Sequence, residues 1–173
     1  MNETNPYTNT QHATETSLTQ SAQSKSHPAK RVDVVSLKMV KEKSLMYANR
    51  SIKSPEDGYH LFKQFLGELD REYFVVMCLD VKNQPTHINV CHVGSLNSSI
   101  VHPREVMKTA ILSNSCSIIV AHTHPSGNPS PSPEDIEVTK RLIEAGDIIG
   151  IDVLDHLIIG EDDFVSLKEK GYM

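Results

Sequence analysis

The chain has 173 residues, 38% hydrophobic and 23% charged, which suits one domain with a buried core and leaves little room for a second catalytic domain. Its formal net charge of −5 excludes a global positive field that would draw it onto phosphate backbones or anionic lipid. No apolar run approaches the roughly 18 residues of a membrane span, and the N-terminus lacks the basic and apolar regions of a leader, so a cytoplasmic protein with no membrane partner is expected.

Residues 1–29 are more than half Ser, Thr, Asn and Gln and are expected to form a disordered polar tail, because they cannot bury enough surface to offset the entropy of ordering. The folded domain is expected over 30–173. It opens with "RVDVVSLKMVKEKSLMY" (31–47), whose apolar–polar alternation predicts one or two half-buried strands. Lys38, Lys41, Lys43, Arg50 and Lys53 read as a solvated face. In "SPEDGYHLFKQFLGEL" (54–69), Ser54 caps a helix, Pro55 takes its first position and Asp57 completes a capping box. Leu61, Phe62, Phe65, Leu66 and Leu69 recur at helical spacing.

"YFVVMCLDV" (73–81) predicts a strand buried on both faces, and "THINVCHVG" (86–94) pairs with it as a hairpin. "VHPREVMKTAILSN" (101–114) predicts a helix with Val106, Met107, Ala110 and Ile111 inward. "CSIIVAHTH" (116–124) is again an apolar strand, "SPEDIEVTKRLIEAG" (132–146) a helix stopping at Gly146, "IDVLDHLIIG" (151–160) a strand, and 164–167 a short last one. Strands alternating with helices, some hairpin-paired, predict an α/β (α+β) fold with a mixed β-sheet flanked by helices. Cys78, Cys91 and Cys116 stand singly in apolar runs without a CxxC pair, which reads as buried, reduced side chains with no chemistry.

The chemistry is concentrated in "AHTHPSGNPSPSPED" (121–135). His122 and His124 lie two apart at a strand end, so their imidazoles share one face. Pro125 holds the strand extended to its end, and the proline-rich return loop is stiff. Ser132 then caps a helix with Pro133 at N1 and Asp135 at N3, returning a carboxylate beside the histidines. Two imidazoles and one carboxylate leave a fourth position open, the arrangement of catalytic rather than structural zinc. Each residue alone has a plainer role. A strand-end histidine is usually a surface residue, and "SPED" alone is a common capping box. Spacing, strand placement, stiff loop and helix start agree on one metal site.

The run His-x-His, seven residues, Ser, two residues, Asp resembles the JAMM motif of the JAB/MPN zinc metalloproteases. "DREYFVVMCLDVKNQ", "GSLNSSIVHPREVMKTAI" and "VLDHLIIG" resemble its RadC-like branch, over about residues 50–173. The resemblance implies a three-layer, cytidine-deaminase-like architecture and one Zn2+ per chain on His122, His124 and Asp135. It also implies that Ser132 polarises the substrate carbonyl or oxyanion, and that an upstream glutamate is the general base. Glu72, at the entry to the buried strand, fits that place best, ahead of Glu68 and Glu105. His102 and His156 also match, as structural histidines or partners of the ligands, and Asp155 could orient a ligand histidine.

The expected activity is hydrolysis of peptide or isopeptide bonds by a zinc-activated water, on a protein or peptide substrate that could add to an open sheet edge. Two other readings are a DNA repair or recombination accessory and a non-catalytic scaffold of the same fold. Full-length RadC-like proteins carry an N-terminal helix-hairpin-helix region where this sequence has its polar stretch, so nucleic acid is not the favoured partner. Scaffold members typically lack the ligands that this sequence retains.

Overall fold

The computed structural model describes residues 30–67, 71–94 and 101–173. The polar stretch 1–29, Glu68 and Leu69 lie outside the described residues. The chain divides into two units, Met1–Ser36 and Leu37–Met173. Of the first, residues 30–36 carry no helix or strand and are exposed.

The second unit holds α1 (Pro55–Leu66), β1 (Tyr73–Leu79), β2 (Pro85–Val93), α2 (Pro103–Leu112), β3 (Ser117–Thr123), α3 (Pro133–Ile149), β4 (Asp152–Ile159) and β5 (Phe164–Ser166). The five strands form one sheet in the order β2-β1-β3-β4-β5. β3 and β4 run parallel, joined by the α3 crossover, and the other neighbours are antiparallel. Every residue of β3 and all but the first of β1 are buried, as expected for strands covered on both faces. On one face Phe74, Val76, Ile118 and Val120 meet Val106, Met107 and Ala110 of α2 and Val138 and Leu142 of α3. On the other, Val75, Met77, Ile119, Ala121, Leu157 and Ile159 meet Leu61 and Phe62 of α1. The result is a three-layer α/β domain around a mixed sheet.

Several expectations are corrected. No strand forms over 31–47. Val34, Leu37 and Val40 are 100%, 76% and 84% exposed, because alternation marks compatibility with a sheet but a strand needs a ladder partner. The five strands pair with one another. Residues 45–52 instead form an irregular strap, held where Leu45, Tyr47 and Ile52 pack on the α1 face. Lys43 stands over the Phe65 ring, 4.8 Å from its centroid.

At α1, Ser54 Oγ accepts from the Asp57 amide, but the Asp57 carboxylate accepts from the Lys53 amide and from Asn49. Ile111 is 52% exposed because α2 turns Val106, Met107 and Ala110 inward. Cys116 is exposed rather than buried, one residue before β3 begins. Cys78 is buried, and burial pushes the half-covered Cys91 thiol up to about 12.

α3 does not stop at Gly146. It runs to Ile149 and closes on Gly150, which adopts a left-handed conformation and donates its amide to Gly146 O. Gly146 is instead a point of close approach, where a Cβ would lie 2.5 Å from Ile151 O. Among the described residues, no helix is long and apolar enough to cross a membrane.

Candidate metal centre

β3 ends at Thr123, and His122 and His124 stay on one face across that end, their Nε2 atoms 2.9 Å apart. The His122 side chain is 1% exposed and that of His124 20%. Ser132 and Asp135 form a full capping box at the start of α3: the Asp135 amide donates to Ser132 Oγ at 3.2 Å, and the Ser132 amide to Asp135 Oδ2 at 2.7 Å. The cap points Asp135 at the histidines, with Oδ1 3.1 Å from His122 Nε2 and Oδ2 3.6 Å from His124 Nε2. Capping and metal binding, read from the sequence as competitors, use the same carboxylate. One potential ligand atom from each of His122, His124 and Asp135 lies within 4.8 Å of the others, so the three could hold a metal ion.

Electrostatics follow from this crowding. Burial pushes the Asp135 carboxyl up, but hydrogen bonding with His122 and His124, the charge interaction with His122 and hydrogen bonding with the Ser132 side chain outweigh it and hold the group far below the usual carboxylate range. The hydrogen bond to Asp135 raises His124, with smaller contributions from the Asn128 carbonyl and the Glu72 charge.

The return loop is anchored at both ends. His124 Nδ1 donates to Asn128 O at 2.8 Å, the Gly127 amide to His124 O at 2.9 Å, and the Glu161 amide to Gly127 O at 3.3 Å. Because a carbonyl accepts, His124 Nδ1 carries a proton, and in the neutral ring Nε2 keeps the lone pair that faces the cluster. Lys63 of α1 donates to Glu161 O and Gly160 O, fastening the turn on which the loop rests.

Glu72 directly precedes β1, and its charge is felt at His124. Thr123, between the two histidines, accepts from the Tyr73 amide at 2.9 Å and donates to Arg71 O at 3.2 Å, which ties the Glu72 segment to β3. Glu105, the other described candidate base, is paired with Lys108 at 2.6 Å on the exposed start of α2. That contact holds its carboxyl below the usual range. His102 caps α2 without a side-chain hydrogen bond.

Behind the ligands, His122 Nδ1 lies 2.8 Å from His156 Nε2, and His156 Nδ1 lies 2.6 Å from Thr139 Oγ1. Burial holds His156 far below the ordinary histidine range. Phe74 covers this pair, its ring centroid 6.1 Å from that of His122 and 5.4 Å from that of His156. Asp155 does not orient a ligand histidine: its carboxylate accepts from Ser166 Oγ and from the amides of His156 and Lys168. Thr139 was not singled out in the sequence. Its one signal there is its place four residues after the helix-start acid.

Residues 52–172 match the RadC-like JAB domain family. UPF0758 protein YsxA of Bacillus subtilis (strain 168) is 57% identical over 122 residues, 70% of this chain and 53% of that protein. A UPF0758 protein of Bacillus cereus (strain Q1) is 58% identical over 130 residues, 75% of this chain and 58% of its own length. One from Geobacillus sp. (strain WCH70) is 58% identical over 122 residues, 70% of this chain and 54% of its own. The chain thus spans a little over half the length of these curated relatives.

Proposed function

The chain belongs to the RadC-like JAB domain family, and we propose on that premise that it is a zinc-dependent hydrolase cleaving amide bonds of peptide or isopeptide substrates. The observation that carries this reading is the convergence of His122 Nε2, His124 Nε2 and Asp135 within 4.8 Å on a rigid strand end and helix start. With its Nδ1 proton committed to Asn128, the neutral His124 ring turns a lone pair toward a carboxylate and a second imidazole, a donor set that suits a cation. Two imidazoles and one carboxylate suit zinc and leave a position open.

A bound zinc supplies Lewis acidity, lowering the pKa of a water toward about 7 and polarising the scissile carbonyl. The protein's own groups do the rest. Glu72, whose charge is felt at His124, accepts the proton of the attacking water and passes it to the leaving amine nitrogen. Ser132 Oγ uses a lone pair on the Asp135 amide, so its hydroxyl proton is available to the developing oxyanion. β2 lies at an outer edge of the sheet, where an extended substrate can add as a further strand.

The test is zinc content together with cleavage profiling of a cell lysate for wild type, Glu72→Gln and His122→Ala. Wild type should hold one zinc and cleave a defined set of substrates. Glu72→Gln should keep the zinc and lose about 10²–10⁴ in rate, and His122→Ala should lose both. Cleavage undiminished in Glu72→Gln rejects that residue as the base, and cleavage undiminished in His122→Ala rejects the enzyme assignment.

A further inference from the structure

We infer that Thr139 and His156 are positioning residues that fix His122 as its Nδ1-protonated tautomer, so that the Nε2 lone pair faces His124 and Asp135. The inference rests on the metal reading above and concerns how the protein prepares that site before any ion arrives.

Thr139 Oγ1 lies 2.6 Å from the backbone oxygen of Asp135. Two oxygens that close repel unless a proton lies between them, and of the two groups only the hydroxyl owns one. The Thr139 proton is therefore spent on Asp135 O, and the hydroxyl oxygen can only accept from its other neighbour, His156 Nδ1, 2.6 Å away. That places the His156 proton on Nδ1. A fully buried imidazole is neutral and carries a single N–H, so His156 Nε2 bears a lone pair. It lies 2.8 Å from His122 Nδ1, which must be the donor. In the neutral ring His122 Nε2 then keeps the lone pair, 3.1 Å from Asp135 Oδ1.

Each bond in this series has one direction, and the series begins and ends on the same residue. Asp135 offers its carboxylate to the cluster and, through its backbone carbonyl, sets the tautomer of another ligand. The device needs a threonine one helical turn after the ligand acid, since a hydroxyl at that spacing bonds the i−4 carbonyl. It also needs a dry environment, because water could donate to Nδ1 or Nε2 and scramble the order. Thr139 and His156 are both 0% exposed, and the Phe74 ring lies edge-on against His156.

Two measurements test the relay: zinc affinity by chelator competition for wild type, Thr139→Val and Thr139→Ser, and long-range 15N imidazole NMR of the metal-free wild type. Thr139→Val keeps the shape of the side chain but removes the hydroxyl. It should weaken zinc binding about 10–100-fold, the usual effect of losing a partner of a ligand, while Thr139→Ser restores it. In the NMR spectrum His156 should carry its proton on Nδ1. Full zinc affinity in Thr139→Val, or a His156 proton on Nε2, overturns the inference. If Thr139→Val fails to fold, the wild-type spectrum decides. A wild type that takes up no zinc defeats the metal reading, whereas the His156 tautomer still decides the relay.

Discussion

Gly160→Ala should disturb the metal centre from outside it. Gly160 directly follows β4 and lies against the return loop, where a Cβ would lie 2.3 Å from Gly127 O and 3.0 Å from Pro129 Cδ. A carbon and a carbonyl oxygen approach no closer than about 3.3 Å in weak hydrogen bonds, so the loop backbone must retreat by about 1 Å. No rotamer relieves this, because the obstacle is main chain. The retreat breaks the Glu161–Gly127 hydrogen bond and draws Asn128 O away from His124 Nδ1, now 2.8 Å apart. Overpacking of this kind costs about 1–3 kcal/mol, or about 2–12 °C in melting temperature for a domain of this size. Loss of the group that orients His124 should weaken zinc binding about 10–100-fold. Gly146→Ala is the control, since its Cβ would meet Ile151 O at 2.5 Å, a similar clash against a loop that holds no ligand. Melting curves of the metal-free proteins and chelator competition should show both variants destabilised and Gly160→Ala alone impaired in zinc binding. Equal zinc loss in the two, or none in Gly160→Ala, refutes the reasoning.

Further expectations concern pH and the C-terminal segment. In the metal-free protein the raised His124 contributes stability that is complete below its unfolded value of about 6.5 and is lost as pH rises through its folded value. The depressed Asp135 contributes stability above about 3.9 that is lost as pH falls toward its folded value. The pair therefore stabilises most at about pH 4–6.5, whereas the buried His156 adds stability as pH rises through about 6.5, so the pair is read by melting wild type and Asp135→Asn with chelator at pH 5.5 and 8. The advantage of wild type over the variant should shrink at the higher pH, where added zinc should stabilise wild type more; an advantage that grows across that range contradicts the pairing. Asp155→Ala strands three donors on His156, Ser166 and Lys168 and should cost at least about 1–3 kcal/mol in chemical denaturation, with zinc affinity nearly unchanged because its carboxylate faces the C-terminal segment.

Much of this architecture is legible in the sequence because it is local. The Ser-Pro starts of α1 and α3 carry their own caps, and the unbroken apolar run of β1 marks a strand covered on both faces. The histidine pair and the acid of the capping box announce the cluster through their spacing alone. What the sequence conceals depends on partners distant in the chain. Segment 31–47 alternates like a strand but has no ladder partner, and nothing in its own residues says so. Gly146 has the composition of a stop, yet its role is set by the approach of Ile151. Asp155 and His156 are adjacent, and it is the pleat that turns one toward Ser166 and the other toward His122. Thr139 is invisible for the same reason, since its function arises only when the crossover brings β4 beside β3.

The site draws its rigidity from one connected unit. β3, the return loop, α3 and β4 together supply His122, His124, Asp135, Thr139 and His156, while β1 adds the Phe74 cover, with Glu72 just before it. β3 and β4 are the parallel pair of the described sheet, and the α3 crossover that parallel pairing requires is what carries Asp135 back to the strand end. The amide-rich start of that helix favours an ionised carboxylate, which suits Asp135 to a cation. A change in the packing of the first turns of α3, at Val138 in the core, should therefore reach the metal centre through two routes at once, the carboxylate and the tautomer of His122. Glu72 enters from a different strand and is tied to this unit through Thr123. The proposed ligands and the proposed base therefore come from separate segments, and for that reason Glu72→Gln is expected to silence hydrolysis without loosening the zinc.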